Sequence, residues 1–464
     1  MRWRGGLGSG LAGMGVEGNI ELKCRFNLRL AKMSSSLFDL KSGNVYMNGN
    51  VGIGTTSPTA AFEVNGVIKS TVYKNRWMPP VSKMFSMSGG TASYLDVSTG
   101  NTSAKGFYGG FTDGRYAYLV PYYNGSVQHG IFTRVDLQNF TSTGVTYLDV
   151  STAGNTGAKG FVGGFTDGRY AYLVPNYNTA EHGIFTRVDL KNFTTTGVTY
   201  LDVSTAGNTG AKGLRGGFTD GRYAYLVPCY NGVGYNGILT RVDLLNFTIT
   251  GVTYLDVSTA GNTGATGFEG GFTDGKYAYL VPSYNNTPNG LLTRVNLADF
   301  TKTGVTYLDV STAGNTNAKA FGSGFTDGRY GYLVAGGYAT ALGISARVDL
   351  QNFTISGVSY LDVSEAGNTG AKGFIGGFTD GYFGYFVPYA NGTNSLFTRI
   401  DLNNYTTSGV SYLDVSTAGN TGAKGFRGGF TDGRYAYLVP MWNGSVNHGI
   451  LTRVLIADVF QQGF

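Results

Sequence analysis

Short apolar segments of about six residues, separated by polar turns, follow one another along this chain from residue 91 onwards. Residues 161–204 contain four of them: FVGGFT, RYAYLVP, GIFTRVDL and GVTYLDVS. Segments of this length, rich in aromatic and β-branched residues and bounded by turn residues, predict β-strands. Asp167 and Gly168 fall between the first two segments, where a tight hairpin needs residues that tolerate positive φ. Each group of four segments therefore predicts an antiparallel sheet.

This group of four segments recurs seven times, at intervals of 52–54 residues. Its clearest marker is Tyr-Leu-Asp-Val, which begins at Tyr94, Tyr147, Tyr200, Tyr254, Tyr307, Tyr360 and Tyr412. A strand-containing repeat of that length is typical of a β-propeller with one repeat per blade. The sequence therefore predicts an all-β fold for residues 91–464, a seven-bladed β-propeller of four-stranded antiparallel blades.

The first and last repeats are incomplete in complementary ways. The third strand of the last repeat ends near Leu455 and no Tyr-Leu-Asp-Val follows it, whereas the motif at Tyr94 has no blade before it. We therefore expect the strand near Tyr94–Val97 to complete the blade of residues 426–455. Such a pairing closes the ring and leaves no free sheet edge.

Three polar positions recur in every repeat. The first is the Asp of the hairpin turn: Asp113, Asp167, Asp220, Asp274, Asp327, Asp380 and Asp432. The second is an Arg in the third strand: Arg134, Arg187, Arg241, Arg294, Arg347, Arg399 and Arg453. The third is the Asn of a Gly-Asn-Thr turn. An Arg among apolar residues needs a partner, so the pattern predicts an Arg–Asp pair in each blade. The alternative is a set of seven anion or metal sites.

The repeats differ mainly in the loop between the second and third strands. All length changes fall there, apart from one missing residue near Gly100 in the link between one blade's fourth strand and the next blade's first. In an up-and-down blade both places lie on one face of the disc. We call it the variable face, and the opposite face, which carries the Asp-Gly hairpins, the uniform face.

The variable loops pair an aromatic residue with an Asn in most repeats. Aromatic rings stack on the apolar faces of sugars, and Asn offers donors and acceptors to hydroxyl groups. The predicted ligand-binding residues are Tyr122, Tyr123, Asn124, Tyr177, Asn178, Tyr230, Asn231, Tyr284, Asn285, Tyr389, Asn391, Trp442 and Asn443. The alternative is that Tyr covers the strand ends and Asn-Gly forms the turn.

Three histidines, His129, His182 and His448, occupy one repeat position in blades that are neighbours once the ring closes. A shared metal ion is not expected, because packed sheets lie ~10 Å apart and metal–ligand bonds are about 2 Å. The sequence predicts no metal site and no cofactor.

An enzyme is not expected either, and no catalytic residue is assigned. Glycosidases need paired carboxylates, whereas most acids here are repeated in every blade. Glu269 breaks the repeat and could line the central channel near Arg215. No Ser-His-Asp constellation, phosphate loop or zinc spacing is present. A polysaccharide-degrading enzyme using Glu269 is kept as a third possibility.

Composition adds limits rather than a function. The chain has 464 residues, 42% hydrophobic content, 75 glycines and a net charge of +6. Lys and Arg recur once per repeat, so no basic stripe suggests nucleic-acid binding. Cys24 and Cys229 form no disulfide framework or redox motif. No apolar run reaches 18 residues, so membrane insertion is not expected.

The segment before the propeller carries a distinctive motif, Asn50-Val-Gly-Ile-Gly-Thr-Thr-Ser-Pro58 followed by Phe62-Glu-Val-Asn-Gly66. Residues 44–68 thereby resemble a stalk module of bacteriophage tail fibres and related bacterial surface proteins. The resemblance implies an intertwined trimeric β-stalk that carries a receptor-binding head. It suggests four parts: residues 1–33 of unclear role, a stalk at 34–75, a linker at 76–90 and the propeller. The propeller strand Asp-Gly-Arg-Tyr-x-Tyr-x-Val-Pro resembles bacterial kelch-like repeats.

Together these features predict the binding head of a homotrimeric fibre that recognises a cell-surface glycan. Such a protein is a viral tail-fibre receptor-binding protein on the virion or a bacterial adhesin at the cell surface. The alternative is a structural or protein-binding propeller of a virion or surface assembly.

Overall fold

The computed structural model describes residues 92–336, 342–389 and 393–456, together with the backbones of Val51–Ile53 and Phe62–Val64. The chain divides into two compact units, Met1–Val81 and Ser82–Phe464. In the first unit, Val51–Ile53 pairs in parallel with Phe62–Val64. The rest of the predicted stalk, the segment 1–33 and the linker 76–90 lie outside the described residues, so those boundaries stay predictions.

The second unit forms seven four-stranded antiparallel sheets, the predicted blades. The strands of blades 1 to 3 are Phe107–Thr112, Tyr116–Pro121, Ile131–Asp136 and Val145–Asp149; Phe161–Thr166, Tyr170–Pro175, Ile184–Asp189 and Val198–Asp202; Gly217–Thr219, Tyr223–Leu226, Ile238–Asp243 and Val252–Asp256. Those of blades 4 and 5 are Phe268–Thr273, Tyr277–Pro282, Leu291–Asn296 and Val305–Asp309; Ser323–Thr326, Tyr330–Val334, Ile344–Asp349 and Val358–Asp362. Those of blades 6 and 7 are Phe374–Thr379, Phe383–Pro388, Leu396–Asp401 and Val410–Asp414; Phe426–Thr431, Tyr435–Pro440, Ile450–Leu455 and Ala92–Asp96.

Short 3-10 helices follow the outer strands. Those after the third strands are Ser142–Gly144, Thr195–Gly197, Ile249–Gly251, Lys302–Gly304, Ile355–Gly357 and Thr407–Gly409. Those after the fourth strands are Val150–Thr152, Val203–Thr205, Val257–Thr259, Val310–Thr312 and Val363–Glu365. The Asp of Tyr-Leu-Asp-Val caps the second set, as where Asp149 accepts the Ser151 N–H at 2.9 Å, which explains its recurrence. Among the described residues, no helix is long and apolar enough to cross a membrane.

The ring closes as the strand count predicts. Ala92–Asp96 pairs antiparallel with Ile450–Leu455, and Tyr94 lies opposite Thr452. The Tyr94 hydroxyl also donates to the Val415 carbonyl of blade 6 at 2.6 Å. The equivalent tyrosine of each other blade makes the same bond to the preceding blade: Tyr147, Tyr200, Tyr254, Tyr307, Tyr360 and Tyr412. Closure therefore repeats the ordinary contact between neighbouring blades.

The core lies between the blades. Tyr172 and Val174 of blade 2 pack against Leu226 of blade 3, whereas Leu173 on the other side of the strand packs against Val120 of blade 1. All five side chains are fully buried. A sheet covered on both faces needs apolar residues on both, as the second-strand sequence predicts.

The recurring third-strand Arg does not pair with the turn Asp, and that prediction is wrong. The guanidinium carbon of Arg187 lies 4.6 Å from the centre of the Tyr170 ring and 4.2 Å from that of Phe247 in the next blade. Its Nε donates to the Thr199 hydroxyl at 3.0 Å. Two aromatic faces thus surround a charge that the pattern had assigned to a carboxylate.

The turn Asp is used within its own hairpin. Asp167 accepts the N–H groups of Arg169 and Tyr170 at 2.9 and 2.7 Å, and the Tyr172 hydroxyl at 2.8 Å. Burial, and then this bond, raise the pKa of Tyr172, so the hydroxyl stays protonated as the donor. The ion pair of this blade joins Arg169 to Asp189 at 2.8 Å on the uniform face. A repeated Arg–Asp pair therefore exists, but between different residues.

Strand directions set where the chain enters and leaves the ring. In every blade the third strand runs towards the uniform face and the fourth runs away from it, because the Asp-Gly hairpins join the first two strands there. Ala92 begins a fourth strand and Ile456 follows a third strand. Both therefore lie on the uniform face, and the variable face carries neither.

Candidate functional site: the variable face and the channel collar

The seven first strands surround a central cavity of about 250 Å³. It is lined by Ser323 and by Gly109, Gly110, Gly163, Gly164, Gly216, Gly217, Gly270, Gly271, Gly376, Gly377, Gly428 and Gly429. A Cβ atom added to Gly163, whose φ is +81°, would lie 2.9 Å from the Cα of Gly216 in the next blade. Only glycine allows so close an approach of two backbones.

The residue before each of these pairs follows no repeat. In ring order it is Tyr108, Val162, Arg215, Glu269, Gly322, Ile375 and Arg427. We call this ring the collar. It lies at the variable-face end of the channel, because the preceding residue pairs with the last residue of the second strand, as Phe107 does with Pro121. The collar thus places unlike side chains where the repeats meet.

Glu269 is the centre of a polar network in the collar. It is 4% exposed, and its Oε2 lies 2.6 Å from Nη1 of Arg215 in the preceding blade. The predicted proximity of Glu269 to Arg215 is confirmed, whereas the lining of the central cavity consists of the glycine pairs and Ser323. Its Oε1 accepts the hydroxyl of Tyr108, which belongs to blade 1 on the far side of the channel. Both carboxylate oxygens are engaged, so Glu269 links three blades.

Arg427 occupies the other half of the collar. Its guanidinium carbon lies 4.5 Å from the centre of the Tyr108 ring and 4.4 Å from that of Tyr389. Tyr108 in turn meets Tyr122 edge to face, with ring centres 5.5 Å apart. Val162, Ile375 and Met441 complete this apolar cluster, with Trp442 packed against it. The half formed by blades 6, 7 and 1 is therefore aromatic around one cation.

The predicted loop aromatics fall into two groups. Tyr122, Tyr389 and Trp442 pack at the collar, and Tyr389 is only 9% exposed. Tyr123, Tyr177 and Tyr284 are half-buried, whereas Tyr230 is exposed. The predicted set is therefore not one continuous surface.

Tyr230 belongs to a group of three rings that the sequence prediction missed in part. Tyr235 meets Tyr230 at 5.4 Å between ring centres and Tyr284 of the next blade at 6.0 Å, both edge to face. We call Tyr230, Tyr235 and Tyr284 the tyrosine ledge. The signal for Tyr235 was variation at its repeat position, which holds Gln128, Glu181, Pro288 and Asn447 in other described blades.

The predicted loop Asn residues are mainly turn formers. The Oδ1 of Asn124 accepts two backbone N–H groups at 3.0 Å, and Asn231 and Asn443 do the same in their loops. Asn178 and Asn285 instead donate Nδ2 to carbonyls of the neighbouring link, at 3.3 and 3.0 Å. Asn391 lies outside the described residues. These bonds fix the conformation of the loops, as the alternative interpretation of the Asn residues expects.

The three histidines join backbone groups. In His129, Nε2 lies 3.1 Å from the Lys105 carbonyl and Nδ1 accepts the Ile131 N–H at 3.3 Å. His182 and His448 repeat both contacts. Asn236, Asn289 and Asn394 at this position likewise accept the N–H two residues on. Burial lowers the pKa of His129 and of His448 to about 4, so the rings are neutral at pH 7.

Cys229 and the acidic residues provide no other centre. Cys229 is buried behind the collar, and burial raises the pKa of its thiol to about 11. It therefore stays protonated at neutral pH. Within the described parts of the chain, no three His, Cys, Asp or Glu side chains form a group that could hold a metal ion.

No family model and no curated protein matches the chain. Neither the tail-fibre stalk nor the kelch-like resemblance therefore has support from a family match. Among solved structures, a chain of Kuenenia stuttgartiensis hydrazine synthase is 15% identical with a TM-score of 0.51, over 76% of this chain and 96% of that one. This likeness supports the propeller fold.

Two further solved structures are less similar. The dihydro-heme d1 dehydrogenase NirN, in complex with DHE, is 16% identical with a TM-score of 0.42, over 76% of this chain and 68% of that chain. The computationally designed Ika8 protein is 6% identical with a TM-score of 0.44, over 76% and 97%.

The likeness to hydrazine synthase contradicts the prediction that the chain is not an enzyme, since a protein named for catalysis has a similar fold. At 15% identity the likeness shows the fold alone and assigns no reaction to this chain. The propeller fold is thus shared with that chain, and a function for this chain has to be argued from its own side chains.

Proposed function

We propose that this chain is the binding head of a fibre and that its variable face binds a cell-surface glycan. The observation that carries the proposal is the tyrosine ledge on the variable face. Edge-to-face packing of Tyr235 between Tyr230 and Tyr284 holds three amphipathic rings in place before a ligand arrives. Rings that lose little freedom on binding are effective anchors, and each can present a face to a sugar and a hydroxyl to its polar groups.

The path of the chain supports the same proposal. Ala92 enters the ring and Ile456 leaves it on the uniform face. The face whose loops differ is thus the one without chain connections, as suits a surface presented to a partner. Repeat-breaking residues are expected where specificity lies, and both the collar and the ledge are on this side.

An immobilised glycan array tests the proposal directly. We expect the full-length protein to bind a subset of glycans, and Tyr230→Ala or Tyr235→Ala to weaken that binding about tenfold, or about 1.4 kcal/mol. Tyr382→Ala is the matched control, since Tyr382 is 46% exposed on the uniform face and Tyr230 is 40% exposed. Absence of any glycan signal from correctly folded protein would refute the proposal.

We also propose that the segment before residue 91 assembles three copies, with the fibre on a virion or at a cell surface. Two short strands, Val51–Ile53 and Phe62–Val64, cannot bury a core alone, so a stalk of this kind needs partner chains. Light scattering should then give a mass of about three times the 49.2 kDa of one chain. Three heads would raise weak individual affinity through multivalency. A mass of one chain would contradict the trimer.

A protein partner is the second candidate. Val127, Val233 and Val446 in the variable loops are 58%, 90% and 58% exposed, and exposed apolar side chains are typical of protein contacts. In this case Val233→Asp should abolish capture of a protein from the target surface. The glycan array would then give no signal, for the natural chain or for Tyr230→Ala.

A further inference from the structure

The tyrosine ledge passes from blade 3 to blade 4 through one repeat position. Tyr235 holds this position in blade 3, and its Cδ1 lies 3.0 Å from the point that a Cβ atom on Gly267 would occupy. The same point is 2.0 Å from the carbonyl oxygen of Tyr284 in blade 4. A side chain at this position therefore lies over the link to the next blade, beside the tyrosine of that blade's variable loop.

Glu181 holds the same position in blade 2 and makes the corresponding contact with blade 3. Its Cγ lies 2.8 Å from the point that a Cβ atom on Gly213 would occupy, and that point is 1.9 Å from the carbonyl oxygen of Tyr230. Its Oε2 lies 2.7 Å from the corresponding point on Gly232, two residues after Tyr230. The Glu181 carboxylate therefore stands at the blade 2 end of the row of three rings.

The Glu181 carboxylate is open to a ligand. Glu181 is half-buried, and in the parts of the chain that the structure describes neither a hydrogen bond nor an ion pair occupies its oxygens. Glu269 differs, since Arg215 and Tyr108 engage both of its oxygens. The equivalent residue of blade 1 is Gln128, so the fold does not require an acid at this position.

A carboxylate beside aromatic rings favours one kind of sugar. An ionised carboxylate is only an acceptor, and its two oxygens lie side by side. Two adjacent hydroxyl groups of a sugar ring can donate to it together, and such charge-assisted hydrogen bonds are stronger than neutral ones. An acidic sugar would instead bring a second negative charge to the same place, which costs binding energy.

We infer that Glu181 determines which sugar the tyrosine ledge binds: a neutral sugar with two adjacent free hydroxyl groups. The hydroxyl groups donate to the Glu181 carboxylate while the apolar face of the sugar ring packs on Tyr230, which is 40% exposed. The inference rests on the proposed glycan-binding function and adds to it the class of sugar and a specificity-determining residue.

Paired ligands provide a test that needs no variant. Binding of lactose, mannotriose and cellotriose should be measured by calorimetry, each beside a derivative whose terminal ring is oxidised to the uronic acid. The two members of a pair share their ring hydroxyl groups and differ in one carboxylate. We expect the neutral member of at least one pair to bind about tenfold more tightly than its acidic partner.

Variants then place the site. Glu181→Gln introduces the residue that blade 1 already has at this position, so the variant should fold. It should weaken binding of the neutral sugar about tenfold, because the hydrogen bonds lose their charged acceptor, and it should remove the discrimination against the acidic partner. Glu365→Gln is the control, since Glu365 is an exposed acid that follows the fourth strand of blade 5 on the variable face. It should change neither value.

The outcomes separate the two proposals. Binding of the acidic member that equals or exceeds binding of the neutral one overturns the role of Glu181 while leaving glycan binding in place. A discrimination that survives Glu181→Gln does the same. A failure of every glycan, neutral or acidic, on the array as well as in calorimetry, overturns the proposed function itself.

Discussion

The contacts between blades and the contacts in the collar are built in opposite ways. Between blades, one arrangement recurs around the ring: an Arg over two aromatic rings, as Arg187 lies over Tyr170 and Phe247. In the collar each contact occurs once, and the bond from Tyr108 to Glu269 joins blades that are three positions apart. A repeated contact has to fit the same neighbour every time, whereas the collar has only to fill the mouth of a channel. Residues there are therefore free to change and to acquire a ligand.

The largest expected effect is at the blade interface. Tyr172 is fully buried, and Tyr172→Ala leaves a cavity and removes the bond that completes the Asp167 turn. We expect a loss of about 3–5 kcal/mol in the free energy of unfolding, measured by guanidinium denaturation. Tyr122→Ala at the collar should lose no more than about 1 kcal/mol, because Tyr122 is half-buried. Equal losses would contradict the distinction between the contacts that join the blades and the contacts in the collar.

The buried histidines should make the stability of the propeller sensitive to acid. The pKa values of His129 and His448 are about 4 in the folded chain, below the ordinary value of about 6.5. The unfolded chain therefore binds these protons first, and stability is lost as the pH falls from about 6.5 to about 4. The loss approaches about 3 kcal/mol for each ring at pH 4.

Substitution by a neighbour's own residue tests this. Asn already accepts the equivalent N–H in blades 3, 4 and 6 and does not titrate. The double variant His129→Asn, His448→Asn should keep its stability at pH 7 and unfold at a lower pH than the natural chain in an acid titration followed by circular dichroism. An unchanged acid midpoint would show that other groups control it.

The blade architecture could be predicted from the sequence because the same strand pattern recurs seven times. Counting strands was enough to place Ala92–Asp96 beside Ile450–Leu455. The proximity of Glu269 and Arg215 could also be predicted, because the two residues hold one repeat position in adjacent blades. The sequence did not reveal the bond between Tyr108 and Glu269, since nothing in the chain marks a contact across a channel. The repeated Arg was assigned to the wrong partner, since aromatic rings can also surround a cation.

The distribution of charge along the chain is a second case in which the repeat pattern led to a wrong expectation. The +6 net charge was ascribed to residues spread around the ring, yet residues 1–90 hold 11 Lys and Arg against 4 Asp and Glu, and residues 91–464 hold 23 against 24. The propeller is therefore almost neutral, and the surplus of positive charge lies in residues 1–90.

A smaller effect is expected in the polar half of the collar. Glu269→Gln keeps the shape but removes the charge beside Arg215, 2.6 Å away. Breaking a buried pair is costly, but the Arg215 side chain is 32% exposed and water offsets part of the loss. We expect about 2 kcal/mol in thermal unfolding. Glu365→Gln is the control, because Glu365 is exposed, and it should change stability by less than about 0.5 kcal/mol.

The smallest effect should come from a single copy of the repeated cation contact. Arg187→Met keeps the length and apolar stem but removes the charge between Tyr170 and Phe247, which we expect to cost about 1 kcal/mol in urea denaturation. The same substitution at Arg241, which lies 4.7 and 4.1 Å from Tyr223 and Phe300, should lose the same amount. The two losses should add, since each guanidinium touches its own pair of rings. A double variant far from additive would mean that neighbouring interfaces are coupled, and then the ring, rather than the blade contact, would be the unit of stability.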